Sequence, residues 1–558
     1  MSTMTGAEAM VRMLELHGVT HIFGLCGDTS LPFYDALARL DHRMRHILTR
    51  DERSAAYMAD GFARVSGRVG VCEGPSGGGA TYLLPGIVEA NESSIAVLGI
   101  TSDIATGSRG RFALTELDQA ALYRPLTKWN GMIDRADRLP DMLRRAFREM
   151  TSGRPGAVHL GLPFDVQNGS VEAGAVWGNP ELGVFPSSRL SPESNAIEKA
   201  SALLSAAKLP MFVCGGGVII SSAQEELVAL AEALGAPVAT TVSGKGSLAC
   251  SHPLCLGVVG SNGGTPATRE ALMRADLVVF VGCRAGSVTT ERWRHPAPGT
   301  RVIHIDVDSR VIGANYRTEV ALLGDAKLVL RHLLSELKPG AKRKGNQVVE
   351  EAKARKFAAF RGLAAREDVP ILPERIVATL QEVLPRDAVL VCDPGTPCPY
   401  FSAYYEFREP GRHFISNRAH GALGYAMAAA VGAHFGRPRA KTVAVMGDGS
   451  FGFTAGELET IARLKAPVMM VVISNASYGW IKAGQKAGFG QRYFSVDFSR
   501  TDHARVAAAF GVKAFEVEKP EDLKPAFAAA AEHGGPALVD VIAQPLQDAR
   551  APVSEWVA

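Results

Sequence analysis

No stretch of this 558-residue chain stays apolar for the roughly 20 residues that a helix needs to cross a bilayer, and the run Val468 to Ile473 falls far short. That absence predicts no membrane partner. Charge is nearly balanced: a formal net charge of +3 supplies no basic surface of the kind used to bind nucleic acid. Cysteine is sparse, with 8 scattered residues and no CxxC spacing, and the N-terminus MSTMTGAEAMVRMLELHGV lacks a basic region followed by an apolar core. These absences predict reduced thiols in a cytoplasmic protein, without disulfides or zinc. The remaining composition, 47% hydrophobic and 21% charged, is that of a globular protein, and the length predicts three to four domains. Thr5 is placed to cap a first amphipathic helix. The expected partners are small molecules and other subunits.

The densest chemical signal is the stretch from Thr442 to Trp480. Val443 to Met446 is a short apolar run bounded by Gly447, which suits a strand buried on both faces of a parallel sheet. Asp448 falls at its carboxyl end, Gly449 and Ser450 let the backbone approach an anion, and Thr454 to Leu464 has helical spacing with Thr454 as the expected cap. A second strand, Val468 to Ile473, leads to Asn475. Parallel strands joined by a helix share one direction, so Asp448 and Asn475 are predicted at the same sheet edge, where open α/β sheets bind ligands. A carboxylate and an amide oxygen with few other protein ligands suit Mg²⁺, which completes its octahedron with phosphates and water. Taken alone, the tripeptide GDG also fits a plain strand-to-helix turn.

These residues resemble the thiamine-diphosphate-binding motif, which opens with GDG and closes with paired Asn. Here the closing pair is Ser474-Asn475, so the first Asn is missing and the second, the family's metal ligand, is kept. The resemblance implies Asp448, Asn475 and the backbone carbonyl of Ser477 as Mg²⁺ ligands, with Gly447, Gly449, Ser450 and Gly479 around the diphosphate. Asp393 to Thr396 resembles the first diphosphate-contacting loop, which adds Gly395 and Thr396, although a simple turn is an equal alternative.

A second segment, ILTRDERSAAYMADGFARVSGRVGVC, places Glu52 between the strand-like Ile47 to Thr49 and an Ala-rich helix, and it resembles the family's catalytic-glutamate segment. The resemblance implies that Glu52 shares a proton with N1' of the cofactor's pyrimidine, a task for a carboxyl whose pKa is raised by an apolar pocket. The alternative is a helix N-terminal acid, a role that Asp51 can also fill. With both motifs, the chain is similar to thiamine-diphosphate enzymes of the acetolactate synthase type over nearly its whole length. FGLCGDTSLPFYDAL (Phe23 to Leu37), SGGGAT (Ser76 to Thr81) and GRPGAVHLGLPFDVQ (Gly153 to Gln167) look like active-site loops and the exit of the first domain. Leu423 falls where the family has a bulky apolar residue under the cofactor, though ordinary core packing demands the same side chain.

The implied fold class is α/β with three doubly wound parallel-sheet domains: a pyrimidine-binding domain at 1–170, a central Rossmann-like domain at 192–337 and a diphosphate-binding domain at 372–558. Gly169 to Ser191, rich in Gly, Pro and Ser, and the charged Lys338 to Lys356 are the expected connectors, the second partly helical. The first and third domains are expected to be similar sheets, although no sequence repeat shows it. The family arrangement puts Glu52 and Asp448 of different subunits on one cofactor, which implies a homodimer or homotetramer.

The reaction type follows from what surrounds the cofactor. Paired His and a Glu six residues beyond the metal Asn, found in aldehyde-forming decarboxylases, are absent; the second position is Ile481. Carbon–carbon bond formation or cleavage gains accordingly. Acetolactate synthases carry Phe-Gln-Glu and Thr-Lys-His where this chain has Leu114-Thr115-Glu116 and Thr127-Lys128-Trp129, pieces closer to oxalyl-CoA decarboxylase and benzaldehyde lyase. Asp28, Glu116 and Lys128 are candidate acid–base residues, each with a salt bridge or turn as the plain alternative. The expected activity is a carboligase or decarboxylase acting on a 2-oxo acid. Its alternatives are a lyase or decarboxylase on an acyl-CoA or 2-hydroxy ketone, and a catalytically silent cofactor-binding subunit. FAD or ADP in the central domain stays open, at Gly215 to Gly217 and Gly282 to Trp293, although no GxGxxG fingerprint follows. Gly244-Lys245 lacks the spacing of a P-loop.

Overall fold

The computed structural model describes residues 2–337 and 343–556. It contains three six-stranded parallel sheets with helices on their faces and one two-stranded antiparallel pair. The chain divides into two compact units, the first comprising residues up to Ser188 with Asn417–Arg439 and Thr454–Ala466, the second the remainder. Among the described residues no helix is long and apolar enough to cross a membrane.

The first unit holds a sheet ordered Arg45–Leu48, His21–Gly24, Gly70–Gly74, Val97–Asp103, Val158–Pro163, Trp129–Met132. Its central strands are buried throughout, as continuous apolar runs such as VLGIT demand. The Ala-rich helix Glu52–Ser66 is buried along nearly its whole length and packs on Tyr425–Gly436, a helix apolar on every face. A Cβ at Gly61 would overlap the Ala429 carbonyl, and one at Gly432 the Met58 carbonyl, so glycine lets the two backbones touch. Asp60, Arg64 and Glu89 form a buried ion cluster beneath them (Arg64 to Asp60 2.7 Å, to Glu89 3.0 Å), and the Tyr425 hydroxyl donates to Asp60.

The second unit holds two sheets. The central one runs Cys255–Val258, Val238–Thr240, Pro210–Cys214, Leu277–Val281, Arg301–Asp306, Val320–Leu323. Numbered along the chain this is the order 3-2-1-4-5-6 of dinucleotide-binding sheets. The other runs Phe414–Ser416, Val389–Cys392, Thr442–Gly447, Val468–Ser474, Ala537–Ile542, Lys513–Val517. Numbered in the same way, it has the order 2-1-3-4-6-5, and so does the sheet of the first unit.

Local departures from the sequence reading have physical causes. Helix begins directly at Asp448 and runs to Thr454, and a second helix spans Glu457–Leu464. Thr454 therefore ends a helix and caps none: Gly456 sits at the start of the second helix, without a side-chain cap. Part of the connector Gly169 to Ser191 is a strand, Ser170–Glu172, paired with Thr3–Thr5 because Val171 is buried there. Thr5 and Glu8 form a capping box at the first helix. In the second connector a helix spans Gly345–Ala364, while 338–342 lie outside the described residues.

Glu374, in the first turn of Pro373–Val383, is buried with its Oε1 unpartnered, and burial pushes its pKa up to about 6 from 4.5. A carboxyl with a raised folded-state pKa loses stability as pH climbs through the interval between the two values. Glu374→Gln is expected to unfold at a higher temperature than the wild type at pH 7.5, by the equivalent of about 2 kcal/mol, and to lose that advantage at pH 4, as read by paired thermal melts.

Candidate active site

In the sheet around Asp448, the strand order reverses between Val389–Cys392 and Thr442–Gly447, which are hydrogen-bonded neighbours. Loops leaving such a point diverge and open a crevice at the carboxyl edge. Asp393-Pro394-Gly395-Thr396 leaves the first strand and Asp448-Gly449-Ser450 the second, and the Ser450 hydroxyl donates to Asp393 at 2.6 Å. Gly395 has φ +99°, a backbone that a side chain rarely adopts. A Cβ at Gly447 would meet nothing within 4 Å, so this turn faces open space.

Strand Val468–Ser474 runs beside Thr442–Gly447 in register, Gly447 opposite Ile473. The next two residues return to the neighbouring strand: the Asn475 and Ala476 amides both donate to Asp448 Oδ2, at 2.7 and 2.6 Å, while Gly449 N donates to Oδ1 at 2.9 Å. Ala476 holds φ +54° to make this turn. Burial raises the Asp448 pKa, and the three amides pull it back. The Ser477 hydroxyl donates to Asn475 Oδ1 at 3.0 Å and orients that amide. A Cβ at Gly479 would lie 3.4 Å from Thr396 Oγ1 and 3.6 Å from Asn475 Nδ2, so these three residues adjoin. Asp448, Asn475, Ser477, Thr396 and Gly479 are thus brought together. The donor set is all oxygen: a carboxylate with lone pairs to spare, an amide and a turn carbonyl. It fits a hard divalent cation shared with a phosphate.

In the first unit, Asp51 caps the helix Glu52–Ser66 by accepting from Arg53 N at 2.7 Å, which leaves Glu52 free of the capping role. Glu52 is buried, and desolvation raises its pKa, reinforced by the negative Asp51 and Glu73. The glycine-rich turn presses on it: a Cβ at Gly79 would lie 3.0 Å from its Oε1, and one at Gly74 3.2 Å from its Cγ. The segment before Glu52 is held by Glu457, which accepts from Arg50 N at 2.9 Å.

Asp28 opens the turn Asp28–Ser30 at this same carboxyl edge and is exposed. Thr29 Oγ1 lies 3.0 Å from Ser76 Oγ and 2.8 Å from Ser102 Oγ, and Ser76 Oγ lies 2.7 Å from Thr115 Oγ1, so four hydroxyls tie the loops together. Glu116 is exposed, and its carboxylate accepts from the amides of Gly110 and Ala113 of its own loop. Lys128 is not brought to this edge. It precedes the strand Trp129–Met132, at the amino end of the sheet, and donates to the Ser152 carbonyl at 2.7 Å. Leu423 is half-buried in the loop before Tyr425–Gly436, outside the packed core.

Sequence reasoning missed Glu73. It is buried on the strand Gly70–Gly74, accepts from the Tyr34 hydroxyl and lies 3.4 Å from His46 Nε2. A Cβ at Gly24 would overlap it. The available signal was a carboxylate inside an otherwise apolar strand, GVCEG.

In the central sheet the turns at Gly215 to Gly217 and Gly282 touch backbone to backbone, with a Cβ at Gly217 only 2.6 Å from Gly282 Cα. Only glycine fits at this switch point between Pro210–Cys214 and Leu277–Val281.

Residues 4–122 match the description "Thiamine pyrophosphate enzyme, N-terminal TPP binding domain", 197–333 the central domain and 393–541 the C-terminal TPP binding domain. Over 98% of its length the chain is 37% identical to a probable acetolactate synthase large subunit of Methanocaldococcus jannaschii, covering 93% of that protein. An acetolactate synthase of Mycobacterium bovis is 34% identical over 93% of this chain and 85% of its own. The acetolactate synthase large subunit of Corynebacterium glutamicum is 34% identical over 97% and 87%. The chain belongs to the thiamine pyrophosphate enzyme family, and its three parallel sheets are that family's N-terminal, central and C-terminal domains.

Proposed function

We propose that this chain is the catalytic subunit of a cytoplasmic, Mg²⁺-dependent carboligase of the acetolactate synthase type. It would decarboxylate a 2-oxo acid and join the remaining fragment to a carbonyl acceptor. The observation that carries a catalytic role is Glu52, a buried carboxyl with raised pKa, free of capping duty and pressed against a glycine turn. A subunit that merely binds cofactor has no use for that arrangement. When bound, thiamine diphosphate supplies a thiazolium carbon that adds to carbonyls and accepts the electron pair released as carbon dioxide leaves.

Glu52 would hold a proton at the pyrimidine N1', and its desolvated site keeps that proton shared. Asp448, Asn475 and the Ser477 carbonyl would hold Mg²⁺, while Gly395, Thr396, Gly447, Gly449, Ser450 and Gly479 line the diphosphate cradle. Leu423, half-buried and apolar, would support the cofactor from below. Asp28, exposed at the carboxyl edge, is the proposed acid toward substrate. The Glu116 carboxylate holds its own loop and Lys128 lies at the far edge, so both are left with structural roles. The proposed assembly is a homodimer or homotetramer in which Glu52 and the partner subunit's Asp448 hold one cofactor.

One observation favours a second reading, cleavage of an acyl-CoA or 2-hydroxy ketone. Leu114 and Thr115, the latter bonded to Ser76 at 2.7 Å, stand where acetolactate synthases carry the Phe and Gln of Phe-Gln-Glu. Denaturing the purified protein is expected to release thiamine diphosphate, and mass spectrometry of the same supernatant decides FAD. Assays with pyruvate and glyoxylate against CoA thioesters then separate the readings: turnover confined to CoA esters overturns the carboligase assignment.

Glu52→Gln is expected to lower turnover by about 10²- to 10⁴-fold while Mg²⁺ affinity stays near that of the wild type. Undiminished turnover in that variant, measured by carbon dioxide release, would refute the role given to Glu52.

A further inference from the structure

Ser474 stands where the family motif has the first of two Asn, and the structure supplies a reason for the change. Its hydroxyl donates to Asp540 Oδ1 on the neighbouring strand Ala537–Ile542 and lies 3.1 Å from His503 Nδ1. The other oxygen, Asp540 Oδ2, lies 3.0 Å from His503 Nδ1 and accepts the His503 backbone amide at 3.1 Å. All three residues are buried: Ser474 3% exposed, His503 5% and Asp540 0%.

Serine, histidine and aspartate together suggest a hydrolytic triad, but the geometry rejects it. The same imidazole nitrogen, Nδ1, faces both the hydroxyl and the carboxylate, so His503 cannot relay a proton from one to the other. The serine hydroxyl is also closed off from solvent. The cluster is a fastening, and what it fastens lies one residue on: Asn475, whose amide and that of Ala476 are donated to Asp448. The His503 ring also meets Phe451 edge-on at 4.9 Å, on the helix that Asp448 begins, while the Ser474 carbonyl accepts Ala543 N at 2.9 Å. Both candidate metal-binding residues therefore rest on this one buried cluster.

We infer that Ser474, His503 and Asp540 are positioning residues for the cation site, replacing the missing Asn of the motif by fixing where strand Val468–Ser474 ends and how Asn475 turns toward Asp448. The inference rests on the reading of Asp448 and Asn475 as Mg²⁺ ligands. Groups that orient metal ligands from behind commonly set affinity by 10- to 100-fold.

The test is a Mg²⁺ titration of the full-length protein at fixed thiamine diphosphate, followed by tryptophan fluorescence, alongside melts of the cofactor-free protein. Ser474→Ala is expected to weaken Mg²⁺ binding by about 10- to 100-fold, and Ser474→Thr, which keeps the hydroxyl, to restore it. His503→Leu is the second variant should Ser474→Ala fail to fold, with the same loss expected. A lower melting point with unchanged Mg²⁺ affinity would show a purely structural cluster and overturn the inference, as would a Ser474→Thr variant binding as weakly as Ser474→Ala. A wild-type protein without saturable Mg²⁺ binding would instead overturn the metal site itself, and the inference with it.

Discussion

Two backbone amides pointing at one carboxylate hold the candidate site around Asp448 together. The amides of Asn475 and Ala476 converge on Asp448 Oδ2 and join the ends of adjacent parallel strands. An isolated buried carboxylate is costly, and amide donors stabilise its charged form. The same bonds leave lone pairs on Oδ1 and force the unusual φ of Ala476, which sets the directions of Asn475 and Ser477. Remove the convergence and the strand ends have no shared ligand geometry, whatever the sheet does beneath them.

The site around Glu52 lacks that support. Glu52 has no such ring of amides; its neighbours are glycines and two other acids, Asp51 and Glu73, which favour the protonated form. Burial raises the pKa of both carboxyls; backbone amides oppose that rise at Asp448, while neighbouring acids add to it at Glu52.

Legibility from sequence followed the range of the interactions. The strand carrying Val443 to Met446 and the strand carrying Val468 to Ile473 could be read because a doubly buried strand is a continuous apolar run, and Asp448 and Asn475 follow directly at their ends. The central-domain strands Pro210–Cys214 and Leu277–Val281 were visible for the same reason. Strand order was not, since it depends on which way each crossover helix folds, and the common order of the two cofactor-binding sheets leaves no residue-level repeat. Thr454 was misread as a cap because a hydroxyl residue near an amphipathic segment looks alike at either end of a helix. Lys128 was misplaced because a short motif does not reveal which end of its strand faces the crevice. Ser474, His503 and Asp540 lie too far apart along the chain for any pattern to join them.

The first unit is assembled from three separate pieces of chain, the last ending at Ala466. Its central helix, Glu52–Ser66, is covered by a helix that begins only at Tyr425. A ribosome making this protein therefore releases the amino-terminal sheet long before the partner that seals it exists. The exposed face of Glu52–Ser66, with Asp60 and Arg64 already on it, must wait through the synthesis of the whole central domain. A cut after Ser188 would separate the helix Glu52–Ser66 from the helix that covers it.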